Sequence, residues 1–247
     1  MRQSQRLFCI FSLTLVALMS GCASRSISNS DCDPSKDSWC ARNAPAELSE
    51  FDVLGIAINA HPSEADIAAA LAKPRTLTLN RASRILLIQS GAAFPDAPMR
   101  DALNKRYLVG SFSGAKPQTA PRQTADDAAN YSRSLRFAAA QGGFDKVLVY
   151  WGVLESARKN YATSAVSWVP IIGWSIPDEK EQMRIRLKLV LIDVAGGQWE
   201  MFEPTPAEDS SSSSVMSRRE DDQTLVAKLK ARGYETAADE LSKRFER

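Results

Sequence analysis

Hydrophobic and polar positions alternate most clearly from Met183 to Ile192. Met183, Ile185, Leu187, Leu189 and Leu191 fall on one face, and Arg184, Arg186 and Lys188 on the other. A period of two over that length predicts a strand. Arg84–Ser90 and Lys146–Glu155 are compact apolar runs, the second apolar on both faces and so predicted to be central. Tyr107–Phe112 reads as a further strand. After a turn at Asp193–Gly197, Gln198–Phe202 returns to make a hairpin.

Helical signals lie between these runs. Ser63-Glu-Ala-Asp66 is a capping pattern ahead of Ile67–Leu71, with Pro74 as the boundary. Pro95–Arg106 reads as a short helix. Thr124–Gln141 reads as a longer one, with Ala128, Leu135 and Ala139 inward and Gly142-Gly143 as its stop. Asp222–Arg247 carries a stripe of Leu225, Leu229, Leu241 and Phe245, which Gly233 is expected to bend or split. The order predicts an α/β fold with a mixed sheet, flanking helices, an antiparallel C-terminal meander and a C-terminal helical segment.

The first residues break from this pattern. Arg2 and Arg6 precede an apolar run from Leu7 to Met19, followed by Ser20-Gly21-Cys22. That run suits a signal h-region and falls short of the roughly 18 residues that span a bilayer. The segment resembles the lipobox of type II signal peptides, departing only in Met19, where Leu is usual. The resemblance implies cleavage between Gly21 and Cys22, and acylation of Cys22 with palmitate-type chains that anchor the protein in a membrane. Ala23 stands where an Asp would resemble the inner-membrane retention signal. Outer-membrane sorting, facing the periplasm, is therefore expected.

Domain organisation follows: signal peptide 1–21, lipidated flexible tether 22–47, α/β domain 48–208, Ser-rich linker 209–217 and C-terminal helix 218–247. Tether and linker are assigned from Ser, Asp, Asn and Pro content without apolar period. Loss of Arg2 and Arg6 from 31 basic residues leaves them equal to the 29 acidic ones. Nothing in that balance points to nucleic acid. With Cys9 removed and Cys22 acylated, Cys32 and Cys40 remain. An oxidising compartment lets them pair across a short loop, restricting the unfolded chain by about 2.6 kcal/mol.

Ile85–Ile88, the helix ending near Gln141, Val147–Gly152, and Leu187–Asp193 with Gly196-Gly197 and Trp199 together form a recognisable order. It resembles the periplasmic α/β domain of envelope lipoproteins, namely the penicillin-binding-protein activators and the curli-secretion proteins. The resemblance rests on pattern over about 120 residues and implies an accessory part in an envelope assembly.

Candidate chemistry is sparse. His61 is the only histidine, which removes multi-histidine metal cages and H-E-x-x-H. Gly110-Ser-Phe-Ser-Gly114 puts Phe112 where a nucleophile elbow needs serine. The S-x-x-K matches at Ser113 and Ser156 lack their companion motifs. No metal or cofactor is expected, and an enzyme is disfavoured. The expectation is a non-enzymatic adaptor or accessory subunit with an envelope protein partner. The alternative is a lipid-anchored periplasmic hydrolase such as a peptidase.

Ala165–Pro177 is the most unusual interior stretch, with two tryptophans and no charge between two strong strands. It reads either as a lid over the core or as an exposed contact. In the second reading Trp168, Val169, Ile171, Ile172 and Trp174 meet a partner or a membrane. Arg184, Arg186 and Lys188 read either as a solvated face paired with acids such as Glu155 or Glu200, or as a site for anionic headgroups or an acidic partner.

Overall fold

The computed structural model describes residues 25–29, 45–57, 61–73, 77–116, 125–159, 166–170, 181–211 and 218–246. Among the described residues, eight strands form one mixed sheet: β1 (Arg25–Ser26), β2 (Arg84–Gln89), β3 (Leu108–Phe112), β4 (Lys146–Lys159), β5 (Val166–Pro170), β6 (Glu181–Asp193), β7 (Trp199–Phe202) and β8 (Ala207–Ser211). Five α-helices accompany them among the described residues: α1 (Glu50–Leu54), α2 (Glu64–Ala72), α3 (Ala97–Asn104), α4 (Ala125–Gln141) and α5 (Arg218–Phe245). The predicted α/β class, with mixed sheet, meander and C-terminal helix, is the observed one.

The spine of the sheet runs β3-β2-β4-β6-β7. β2 is parallel to both β3 and β4, and β6 is antiparallel to β4 and β7. β4 and β6, of 14 and 13 residues, are far longer than their outer neighbours. On the outer side of β4, β2, β1 and β5 therefore pair in succession along its length. On the outer side of β6, β7 and β8 do the same. The upper part of the sheet is thus a blade of β5, β4, β6 and β8.

Alternation distributes the core to two faces. Leu148, Tyr150, Leu187, Leu189 and Leu191 pack under α3 and α5, and Val147, Val149, Val190 and Ile192 pack under α1 and α4. The α5 stripe of Leu225, Leu229, Leu241 and Phe245 is buried on the first face. Ser63 and Asp66 form the reciprocal capping box at α2. Asp66 sits below the usual carboxylate range because it accepts from Ser63's hydroxyl and backbone.

Four expectations are corrected. Residues 25–29, assigned to a flexible tether, lie against the sheet, and at 45–47, from the same tether, the Ala46 carbonyl accepts from the Lys116 N–H at 3.2 Å. β1 pairs Arg25 with Leu154 and Ser26 with Val153, and Ile27 is 1% exposed. A strand of two residues followed by one buried side chain in a 3-10 turn leaves no periodicity to read. Asp209–Ser211, assigned to the linker, belong to β8, because β6 offers a free backbone edge and a ladder needs no apolar side chains. α5 is continuous over 28 residues and is not split at Gly233. Packing of the stripe on both sides of Gly233 overrides the local glycine cost. Finally, the stretch read as a lid or an exposed contact contains a strand, since Val166–Pro170 form edge strand β5. Proline is tolerated there at a strand end on an edge.

Candidate functional site

The connection from β2 to β3 runs through α3 on one face, and that from β3 to β4 through α4 on the other. Strand order therefore reverses at β2. In open α/β sheets, ligands bind in the crevice beyond the carboxyl ends of the strands at such a reversal. Here the crevice is filled by the chain's own N-terminal segment.

Gln89 and Ser90, both 1% exposed, end β2 and face this crevice. The Gln89 side-chain oxygen accepts from Tyr150 Oη at 2.5 Å and from the Asp96 backbone N–H at 2.7 Å. Its amide nitrogen donates to Ser28 Oγ at 2.9 Å, and Ser28 Oγ donates to the Ser90 carbonyl at 2.6 Å. Ser90 Oγ in turn accepts from the Leu48 N–H at 2.8 Å. Trp151 Nε1 donates to the Leu48 carbonyl at 2.8 Å. Residues on both sides of 30–44 thus meet at Ser90.

Ile27 closes the same crevice by shape. A Cβ on Gly152 would lie 2.4 Å from Ile27 Cδ1 and 2.8 Å from Cγ1. Only glycine at that point of the central strand leaves room for the isoleucine. Gly114 closes the opposite side, where an added Cβ would lie 1.8 Å from the Gln89 carbonyl oxygen. The glycines of the Gly110–Gly114 motif therefore serve packing: at Gly110 a Cβ would lie 2.2 Å from Phe144 Cζ.

A second tier of polar contacts fastens α5 to the network. Tyr234 Oη donates to Asp96 Oδ2 at 2.5 Å, and Lys230 Nζ lies 3.0 Å from the same oxygen. The Tyr150 and Tyr234 rings meet edge-on at 5.8 Å. Burial, with the Asp96 charge adding to it, pushes the Tyr150 hydroxyl far above its ordinary range. Burial also raises Tyr234, reinforced by Tyr150 and Asp96. Both phenols therefore stay neutral donors, suited to holding carbonyl and carboxylate oxygens in place.

The blade carries the predicted cation face. Arg184 pairs with Glu155 and approaches Glu208 at 3.9 Å. Arg186 lies 3.5 Å from Glu155 and 3.4 Å from Glu203, and Lys188 lies 2.8 Å from Glu50. Glu200 instead pairs with Arg244. Arg186 keeps 47% of its side chain exposed, so its ion pairs contribute at most about 1 kcal/mol each.

Among the other predicted residues, Trp168 and Val169 lie on β5 opposite Ala157 and Ser156. Gly21, Cys22, Cys32, Cys40, Ile171, Ile172 and Trp174 lie outside the described residues. His61 is exposed ahead of α2. A groove between α3 and α5 is lined by Arg81, Lys105, Arg106, Glu235 and Asp239, in which Lys105 pairs with Glu235 at 2.6 Å and Arg106 with Asp239 at 2.7 Å. Among the described residues, no group of His, Cys, Asp and Glu is arranged to hold a metal, and no helix is long and apolar enough to cross a membrane.

Sequence reasoning missed Ile27, Ser28, Gln89, Asp96, Tyr150, Lys230 and Tyr234 as one cluster. The available signal was Gln89-Ser90, a polar pair ending an apolar strand before Gly91.

Fold and crevice define a doubly wound α/β domain whose customary ligand position is taken by its own N-terminal segment. Residues 49–244 match the family described as YafT bacterial lipoprotein, and the chain belongs to that family. The match supports a bacterial lipoprotein and says nothing of the penicillin-binding-protein-activator or curli-secretion groups. No curated protein is similar enough to count as a relative. Two solved structures show a distant likeness, both PelC dodecamers from Paraburkholderia phytofirmans. One, a PelC point variant, is 14% identical with a TM-score of 0.28, and the other is 13% identical with a TM-score of 0.27. Each likeness covers 66% of this chain and 93% of the PelC chain. At such scores it carries no argument.

Proposed function

We propose that this lipoprotein is a non-enzymatic adaptor or accessory subunit of a cell-envelope assembly, held at the periplasmic side of the outer membrane by acylated Cys22. The observation that supports this most is the occupied crevice. The place where an α/β sheet offers a substrate site is filled by Ile27, Ser28 and Leu48, each fixed by packing or hydrogen bonds. Membership of a lipoprotein family supports anchorage through lipid. Cys32 and Cys40 pair as a disulfide in the same reading.

The exposed side of the blade is then the working surface, with Arg184, Arg186 and Lys188 and their acids offering mixed charge to an envelope protein. A photo-crosslinking residue in place of Arg186 tests this in living cells. One discrete envelope protein, whose capture at a neighbouring crosslinking position is lost in Arg186→Glu, is the expected result. Recovery of lipid alone would overturn the adaptor reading.

A further inference from the structure

β3 ends one side of the sheet spine and, among the described residues, pairs with β2 alone. The Leu108 N–H donates to the Ser83 carbonyl at 3.0 Å. Backbone groups alternate in direction along a strand, so Leu108, Gly110 and Phe112 turn theirs to β2, while Val109 and Ser111 turn theirs outward. The outward Val109 N–H meets Asn104 Oδ1 at 3.3 Å, a long bond to an exposed side chain. Side chains alternate as well. Val109 packs toward the core under α3 and α5, whereas Leu108 and Phe112 stand on the opposite face, 58% and 43% exposed. Phe144 lies over Gly110, the position between them.

Edge strands that stay single are guarded by charge or proline. β7, at the other end of the spine, carries Glu200 and runs into Glu203 and Pro204. From Tyr107 to Ala115 there is neither a charge nor a proline. The unguarded edge is also complementary to itself. A two-fold axis through Gly110, normal to the sheet, sets β3 antiparallel to the β3 of another copy. Val109 then faces Ser111 of the second copy, and their outward groups meet as a hydrogen-bonded pair on each side of the axis, Val109 exchanging Asn104 for the new strand. Leu108 falls opposite Phe112 of the second copy, on one face, in the closer kind of antiparallel pair. A foreign strand would use the same backbone groups, but it would not need Leu108 and Phe112 at equal distances from a central glycine.

We propose that a second copy of this chain is the partner of the β3 edge, joined as a two-fold dimer with one sheet continuous through both molecules. The inference uses no property of Cys22 and stands apart from the adaptor reading.

The test uses full-length protein in detergent, with a photo-crosslinking phenylalanine analogue in place of Phe112. Equal amounts of isotopically light and heavy protein are mixed, irradiated and digested. A light-to-heavy crosslink from position 112 to the 107–109 segment is expected, and light scattering should give a dimer mass. Leu108→Lys sets a charge against Phe112 of the other copy at both ends of the pairing. It should weaken the dimer about tenfold or more, and, since Leu108 is exposed, leave the melting temperature unchanged. A monomer at every concentration, a crosslink outside 107–109, or undiminished dimerisation of Leu108→Lys would overturn the pairing. In cells the same analogue should capture this chain. Capture of a different protein, or of lipid alone, would give the edge to another occupant and overturn the second copy.

Discussion

Replacing Ile27 by Ala should release the N-terminal segment from the sheet. Ile27 is 1% exposed and occupies the space that Gly152 leaves open. Truncating a buried isoleucine costs about 3 kcal/mol, because the cavity adds to the lost transfer energy. Each 1.4 kcal/mol changes an equilibrium tenfold, so opening of residues 25–29 should become about 100-fold more frequent. Ser28 then loses its place between Gln89 and Ser90, and two hydrogen bonds go with it. Amide hydrogen exchange, read by mass spectrometry on peptides covering 25–29 and 152–154, reports the opening directly. Gly152→Ala should do the same from the other side by pushing Ile27 out. The two changes contend for one space, so the double variant should be less destabilised than their sum by about 1 kcal/mol or more. Unchanged exchange at 25–29 in Ile27→Ala, or strict additivity in the pair, would refute the plug.

Two further outcomes follow from the packing and charge. A Cβ on Gly233 would meet Ala207 Cβ at 3.5 Å and Leu187 Cδ1 at 3.7 Å, which is ordinary contact; Gly233→Ala should therefore stabilise α5 by about 1 kcal/mol, raising the melting temperature by roughly 2–4 °C, and a fall would contradict the continuous helix. At Asp193, burial pushes the carboxyl up, but Lys146 at 2.6 Å and the Gly196 N–H outweigh it and hold the group below its usual range. A depressed folded value means stability that is present above the unfolded carboxylate range, near pH 3.9, and lost as pH falls through the folded value. Urea midpoints of Asp193→Asn should lie below those of the parent at neutral pH and converge with them in acid; a constant gap down to pH 2 would count against the pair.

The elements that sequence made legible are those with a repeating side-chain pattern. Met183–Leu191 alternates along one long strand, Leu225–Phe245 keeps a helical stripe, and Ser63 with Asp66 signals a helix start through local hydrogen bonds alone. β1, β5 and β8 were hidden for one shared reason. Each is two to five residues long and pairs with β4 or β6, too short to show a period of its own. Ala207-Glu-Asp-Ser-Ser211 carries one buried apolar residue, and its last three residues read as the start of a linker. The crevice was illegible for a different reason. Gln89 and Tyr150 are 61 positions apart, and Asp96 and Tyr234 are 138 apart. No local pattern announces a hydrogen bond across such separations. The alternation that placed Arg184, Arg186 and Lys188 on one face also placed Glu155 beside them, through the β4–β6 register.

Anchorage of the protein rests on one atom, the sulfur of Cys22. Mass spectrometry of the N-terminal fragment of the protein from a bacterial membrane fraction reads it directly. A chain that begins at Cys22, lacks residues 1–21 and carries acyl chains on that cysteine is the expected result. A fragment that retains those residues, or an unmodified Cys22, would contradict it.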